Sequence, residues 1–193
     1  MDLKEDINKI IDVVKKSEIV TIRYRGRLYN YIINPISTGL SLISPDILKV
    51  ITRVFKRIVD FEGADYIFTF EAMGIHIATA LSLELNIPVF IARKMDYTGN
   101  MIPIYRGEGA EPLYIHPEIR GSNVTIIDSI ISTGTTIVNA IKTLKPLNVG
   151  ILDIGVVIER VDKGGVKRVK EETGYDVKSI VKISVGPDKI EIL

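Results

Sequence analysis

Apolar residues recur at helical spacing near the start of the chain. Leu3, Ile7, Ile10, Ile11 and Val14 are separated by Lys, Glu and Asp, which predicts an amphipathic helix over 3–16. The period then changes. "EIVTIRYRGRLYNYIINP" is rich in β-branched and aromatic residues, with Arg25-Gly26 near its centre, and predicts two strands folded back on each other, the second ended by Pro35. "SPDILKVITRVFKRIVDF" offers Ser44 as N-cap, Pro45 at the first helical position and an apolar face of Ile47, Val50, Ile51, Val54 and Ile58. From there strand-like and helix-like segments alternate. "DYIFTFE" precedes the helix "GIHIATALSLELN" and "PVFIARK"; "VTIIDS" precedes the helix "TTIVNAIKTLK" and "VGILDIGVVIE". A short helix near "GGVKRVKEETG" and strands "VKSIVKISV" and "KIEIL" close the chain. The alternation predicts an α/β fold, with a mostly parallel central sheet covered on both faces by helices.

One segment breaks the rhythm. Residues from Met95 to Ser122 hold only two short β-like pieces, "MIPIYR" and "PLYIHP", separated by "GEGAEP". Long irregular segments in compact domains tend to be functional, so a lid is expected there. At 193 residues and 46% hydrophobic content, the whole chain, 1–193, is expected to form a single domain with a sizeable core. Charged residues make up 25% but nearly cancel, to +1, so no global field favours nucleic acid or an anionic membrane and any anion site must be local. The absence of cysteine excludes disulfides, Cys-ligated zinc and a Cys nucleophile. The charged N-terminal stretch lacks the apolar core and cleavage site of a signal peptide, and no window approaches the roughly eighteen apolar residues of a membrane span. A soluble, cytoplasmic protein is the simplest expectation.

In an open parallel sheet, ligands bind beyond the carboxyl ends of the strands. Two strand ends carry chemistry. In "FTFEAMGIH", Phe70 leads into Glu71-Ala72-Met73-Gly74 and a helix start; in "IIDSIISTGTT", Ile127 leads into Asp128 and a loop before a helix near Thr135. Ser132, Thr133, Gly134, Thr135 and Thr136 would aim backbone N–H groups and hydroxyls at one spot beside the positive end of a helix dipole, an arrangement sized for a phosphate. Asp128 could accept hydrogen bonds from sugar hydroxyls or from metal-bound water. Each piece alone is also an ordinary capped helix start or a strand-terminal turn. Together they favour a sugar phosphate.

These residues carry a resemblance. "VTIIDSIISTGTTI" resembles the phosphoribosyl-pyrophosphate (PRPP) signature of type I phosphoribosyltransferases: a hydrophobic strand, two acids, small residues, then Thr-Gly-x-Thr. "EAMGIHIATALSLELNIP" with "IARKMDY", "VVIER" with "EETGYDVKSIVKI", and "YNYIINPISTG" are similar in order and spacing to the archaeal hypoxanthine/guanine subfamily, which is close to the adenine enzymes. The resemblance implies the type I fold, with a small hood from about 17–40 and the C-terminal region and a flexible lid over about 94–120. It implies that Thr133 to Thr136 hold the 5′-phosphate, that Asp128 binds ribose hydroxyls, and that the backbone of Ala72, Met73 and Gly74, after Glu71, cradles the pyrophosphate. Arg93 and Lys94 sit where the lid begins, as PRPP-binding candidates of which one would meet pyrophosphate charge, Lys94 in a catalytic role with Asp128. Mg2+ would arrive with PRPP, held by its oxygens and water, with no direct protein side-chain ligand and a water-mediated contact to Asp128. A homodimer is the expected assembly. The implied reaction joins PRPP and a purine base to give a nucleoside monophosphate and pyrophosphate, as in purine salvage.

Some positions depart from the family pattern. Ser129 stands in place of the second acid; a hydroxyl can still reach a ribose oxygen but brings no charge, which motivates the alternative of a catalytically weak nucleotide- or PRPP-binding regulator. Thr135 stands where many members have Gly, which suggests that no positive φ is needed there. Ser132 occupies a position that carries a base-contacting Asp in the human-type hypoxanthine enzymes, so a proton acceptor for the purine is sought elsewhere, at Asp96, Glu108 or Glu111. Residues 29–38 and the segment near Glu159 are hood candidates. His76 and His116 have no second His nearby to form a metal site, and the tyrosines at 24, 29, 31, 97, 105 and 114 include candidates for stacking on a base.

Overall fold

The computed structural model describes residues 2–24, 27–107 and 109–193; the Arg25-Gly26 centre of the expected hairpin and the acceptor candidate Glu108 lie outside the described residues. Helix α1 (Leu3–Lys15) begins where the Asp2 carboxylate accepts from the Lys4 N–H. Strands β1 (Glu18–Tyr24) and β2 (Arg27–Ile33) pair antiparallel as a separate ribbon. Helix α2 (Pro45–Ile58) starts with the Ser44 hydroxyl accepting from Ile47 N at 3.3 Å and with Pro45 in its first turn, as the sequence predicts. There follow β3 (Tyr66–Phe70), α3 (Ile75–Leu85), β4 (Val89–Ala92), β5 (Ile102–Ile104), β6 (Leu113–Ile115), β7 (Asn123–Ile131), α4 (Thr135–Leu144), β8 (Gly150–Arg160), α5 (Gly165–Thr173), β9 (Lys178–Val185) and β10 (Ile190–Ile192).

The main sheet has the order β10-β9-β8-β7-β3-β4, parallel throughout except for the β10 edge, which runs antiparallel to β9. Successive strand residues serve opposite faces, as a period of two requires. Ile67, Ile127 and Val157 join one core with α1, α2 and α3, while Phe68, Ile126 and Val156 join a second core with α4 and Val169 of α5. Strand β3 therefore leads through α3 to β4 on one side, whereas β7 leads through α4 to β8 on the other. The sheet order reverses between β3 and β7, and the crevice beyond their carboxyl ends is the topological switch point.

Strand β7 is longer than its sequence suggests. It runs past Asp128 to Ile131, because Ile130 and Ile131 continue the parallel ladder opposite Ile158 and Glu159 of β8. Asp128 is thus held in the ladder to β8, opposite Val156, two residues past Ile126, where the pairing with β3 ends. On the far face, the buried Asp6 of α1 accepts two hydrogen bonds from Arg53 of α2, at 2.7 and 3.0 Å, which fixes the α1–α2 crossing.

The aperiodic segment folds into a docked hairpin. β5 and β6 pair antiparallel; Ile104, Leu113 and Ile115 are buried in the second core; and Arg93 and Tyr114 exchange backbone hydrogen bonds of 2.8 and 2.7 Å that attach β6 to the end of β4. The Asn139 side chain of α4 donates to the Tyr105 carbonyl at 2.6 Å, fastening the far end of the hairpin beside the start of α4.

Candidate active site

Both predicted strand ends meet at the switch point. Glu71 to Met73, Asp128, Ser129, Ile130 and Thr136 line one cavity of about 220 Å³, together with Ser37 and Arg106. A second cavity of about 140 Å³ is formed by Asp128 and the run from Ile130 to Ile137. The two share Asp128, Ile130 and Thr136, so they are one bipartite cleft with the carboxylate at the junction.

The smaller half is a helix start whose backbone geometry suits an anion. Gly134 is the N-cap of α4, with φ 73° and no side chain to cap the helix, which leaves the first-turn N–H groups without a side-chain acceptor at the positive end of the dipole. A side chain at Gly134 would be strained by that φ and would drive into the Gly165 carbonyl of α5. Thr133 and Thr135 place their hydroxyl oxygens 3.1 Å apart over this helix start. Thr135 is the first residue of α4, helical rather than left-handed, which agrees with the reading that no glycine is needed there.

The larger half rests on a close approach between strands. A Cβ on Gly74 would collide with the Thr69 hydroxyl and come within 3.2 Å of Asp128 Oδ1, so glycine lets the 71–74 loop lie against the end of β7. Thr69 Oγ1 itself donates to the Ile127 carbonyl at 2.8 Å. The Glu71–Ala72 peptide is cis.

Burial pushes the Asp128 carboxyl up to about 7, against the opposing pull of the Ser129 backbone N–H, which donates to Oδ1 at 2.7 Å. Ser129 is 1% exposed; its hydroxyl helps to lower the Asp128 pKa but makes no well-formed hydrogen bond within the protein, so the position that departs from the family pattern carries a poorly satisfied polar group on the wall of the cleft.

The cations are distributed differently from the sequence expectation. Arg93 Nε lies 3.0 Å from the Glu71 carboxylate, and its guanidinium sits over the Tyr97 ring. Lys94 is exposed at the base of the hairpin, and its backbone N–H donates to Glu71 Oε2 at 3.0 Å. Neither lines the cleft. Arg106, which follows β5, does line it, and its Nε donates to the Glu111 carbonyl at 3.0 Å. Sequence reading missed Arg106 because it stands in the aperiodic segment; its only signal is being an Arg followed by Gly107.

The β1–β2 ribbon touches the rim of the cleft at Ser132. The Tyr29 and Ser132 hydroxyls lie 2.8 Å apart, and the Arg160 guanidinium, 1% exposed, donates to the Asn30 carbonyl at 2.6 Å and lies 5.1 Å from the Tyr29 ring centroid. Asn30 also donates to the Gly186 carbonyl at 3.0 Å, so the N-terminal ribbon is joined to the C-terminal region. Glu159 is engaged with Ser179 at 2.7 Å. Asp96 organises the turn after β4 by accepting from the Thr98 and Gly99 N–H groups, and Glu111 is exposed. His116 caps a 3-10 turn by accepting from Glu118 N, and burial lowers the His76 pKa.

Fold and geometry together define a doubly wound α/β protein with an anion-suited helix start and a carboxylate at the switch point of its sheet. The chain belongs to the phosphoribosyltransferase family: the model of the phosphoribosyl transferase domain matches residues 42–191. Curated relatives align over the full length. They include the hypoxanthine/guanine phosphoribosyltransferases of Methanocaldococcus jannaschii, 42% identical over 99% of this chain and 100% of that protein, and of Methanocaldococcus infernus, 39% identical over 100% of both. Among solved structures, the adenine phosphoribosyltransferase of Thermoanaerobacter pseudethanolicus superposes with a TM-score of 0.72 at 22% identity, covering 91% of this chain and 99% of that one. That of Trypanosoma brucei gives 0.73 at 16% identity, covering 92% and 79%. At these identities the solved structures speak to the fold.

Proposed function

We propose that the protein is a purine phosphoribosyltransferase of purine salvage, joining PRPP and a purine base to give a nucleoside monophosphate and pyrophosphate. The observation that carries this reading is the bipartite cleft, in which one carboxylate, Asp128, stands between a helix-start cradle and the 71–74 loop. The full-length relatives named for hypoxanthine and guanine favour a 6-oxo purine as the base.

Each part has a role in that chemistry. Departure of pyrophosphate from C1 of the ribose develops positive charge on the sugar and negative charge on the leaving group, so fixed dipoles and cations are needed where the charges form. The N–H groups and hydroxyls of 132–136 hold the 5′-phosphate, Asp128 accepts from ribose hydroxyls, and Ser129 offers its hydroxyl to the same sugar. The backbone of 71–74 receives the pyrophosphate, with Arg106 contributing charge and Arg93 and Lys94 approaching as the hairpin tightens over the substrate. Mg2+ would come with PRPP, carried by its oxygens and water, and Asp128 would be its water-mediated contact. That ion would neutralise charge on the leaving group. Cytoplasmic residence and a homodimer complete the proposal; no described helix is long and apolar enough to cross a membrane.

The test is pyrophosphate release with Mg2+, PRPP and, in turn, adenine, hypoxanthine, guanine, xanthine, uracil and orotate. Release with hypoxanthine and guanine is expected. No release with any base, alongside tight nucleotide binding, would instead establish the weak-regulator reading, which the missing second carboxylate at Ser129 favours.

A further inference from the structure

The start of α5 lies directly against the backbone of the 132–136 loop. A Cβ on Gly165 would strike the Ser132 carbonyl and come within 2.8 Å of Gly134 N, so this glycine lets the first turn of α5 touch the loop backbone. One turn on, Arg168 Nη1 donates to Thr135 Oγ1 at 2.7 Å. Its Nε donates to Glu172 Oε1 at 2.6 Å, and Glu172 also accepts from Lys142 of α4 at 2.5 Å. Gly107 of the docked hairpin lies on another side of Thr135: a Cβ built there would be 3.7 Å from Thr135 Cγ2. Thr135 is therefore enclosed by α5, the hairpin and its own loop.

The direction of the hydrogen bond matters. A guanidinium can only donate, so the Thr135 oxygen is the acceptor and its own proton must point elsewhere. Thr133 Oγ1, at 3.1 Å, and the space over the helix start are the available targets. A residue without a side chain at 135 would give Arg168 nothing to hold, so the Thr135–Arg168 pair is a device particular to the side chain found here.

We propose that Arg168 is a positioning residue for the phosphate cradle: it fixes the Thr135 hydroxyl as a donor toward the ligand and brings a positive charge to the edge of the loop. The proposal rests on reading the 132–136 loop as the 5′-phosphate site. A substrate phosphate would then meet an aligned O–H and a guanidinium held about one side chain away, while the base end of the cleft is untouched. The effect falls on phosphoribosyl affinity and not on base affinity.

The test measures ribose 5-phosphate affinity by calorimetry and steady-state kinetics for R168Q, R168K, T135V, the R168Q/T135V double variant, T133A/T136A and E172Q. R168Q is expected to weaken ribose 5-phosphate binding and raise the KM for PRPP about tenfold, with kcat and the KM for base within about twofold. R168K is expected to recover part of this loss. The double variant should be no worse than the more damaged single variant, because both remove one linkage. E172Q, which loosens the same ion network but keeps the bond to Thr135, should stay within about twofold of the parent in affinity. Equal losses of affinity in E172Q and R168Q, or unchanged ribose 5-phosphate affinity in R168Q while T133A/T136A weakens it, would overturn the proposal and leave the loop reading intact. Unchanged affinity in T133A/T136A would overturn the loop reading itself.

Discussion

The Tyr29 hydroxyl meets the Ser132 hydroxyl at 2.8 Å across a sequence separation of 103 residues, joining the N-terminal ribbon to the 132–136 loop. Tyr29 also presents its ring to Arg160 and Lys163, at 5.1 and 5.4 Å, so the ring and the hydroxyl make separable contributions. Removing the hydroxyl alone with Tyr29→Phe should cost about 1 kcal/mol of stability and raise the KM for the base more than that for PRPP. Thermal unfolding with parallel kinetics checks this. Equal effects on both substrates would assign the contact to general packing.

Asp128 links pH to binding and to stability in opposite directions. Its folded pKa of about 7 lies above the reference value of 3.8, because burial disfavours the charge. The neutral form is therefore the favoured folded form up to about pH 7: Asp128 imposes no penalty below the unfolded value, and the penalty grows as pH rises from there to about 7. At higher pH it reaches at most about 4 kcal/mol. Asp128→Asn should accordingly stabilise the free protein above neutrality and have little effect in acid. Sugar hydroxyls need the ionised acceptor, so the parent should lose roughly tenfold in ribose 5-phosphate affinity between about pH 8 and about pH 6 beyond any loss seen in Asp128→Asn. Identical pH profiles in the two proteins would remove Asp128 from the sugar site.

Restoring the second acid tests the departure at Ser129. The position is 1% exposed and adjoins a carboxyl that already resists ionisation, so two carboxylates there would disfavour each other's charge. Ser129→Asp is expected to lower the Tm of the free protein by roughly 5–10 °C and to regain most of that loss with Mg2+ and PRPP. An unchanged Tm would contradict the burial argument, and a higher kcat at saturating substrates would identify Ser129 as the residue that limits turnover.

Gly74→Ala should damage the site through geometry alone. The added methyl falls on the Thr69 hydroxyl and presses toward the Ile127 carbonyl at 3.3 Å, so the 71–74 loop must retreat from β7. A stability loss of about 1–3 kcal/mol is expected, with a larger proportional rise in the KM for PRPP than in that for the base. Wild-type kinetics would mean that the loop can shift without leaving its function.

Much of this was readable from the chain itself. The periods of 3.6 and 2 in Leu3–Val14, Ile47–Ile58 and the strand runs gave the helices, the strands and the parallel sheet, because each element must bury a stripe or a face of its own local pattern. Gly134 with its neighbouring threonines after a β-branched run marked the cradle, since a helix start exposes its N–H groups wherever it occurs. The tertiary structure alone decided how distant segments converge on that cradle. Arg106 reaches the cleft because its hairpin docks on the second core, Tyr29 because Arg160 holds the ribbon over β8, and Arg168 because Gly165 admits α5 to the loop. None of these has a local periodic signature: the free energy that places them comes from burial and hydrogen bonding between segments far apart in sequence. The neutral preference of Asp128 belongs to the same class, because desolvation is a property of everything packed around a group and not of the residues beside it in the chain.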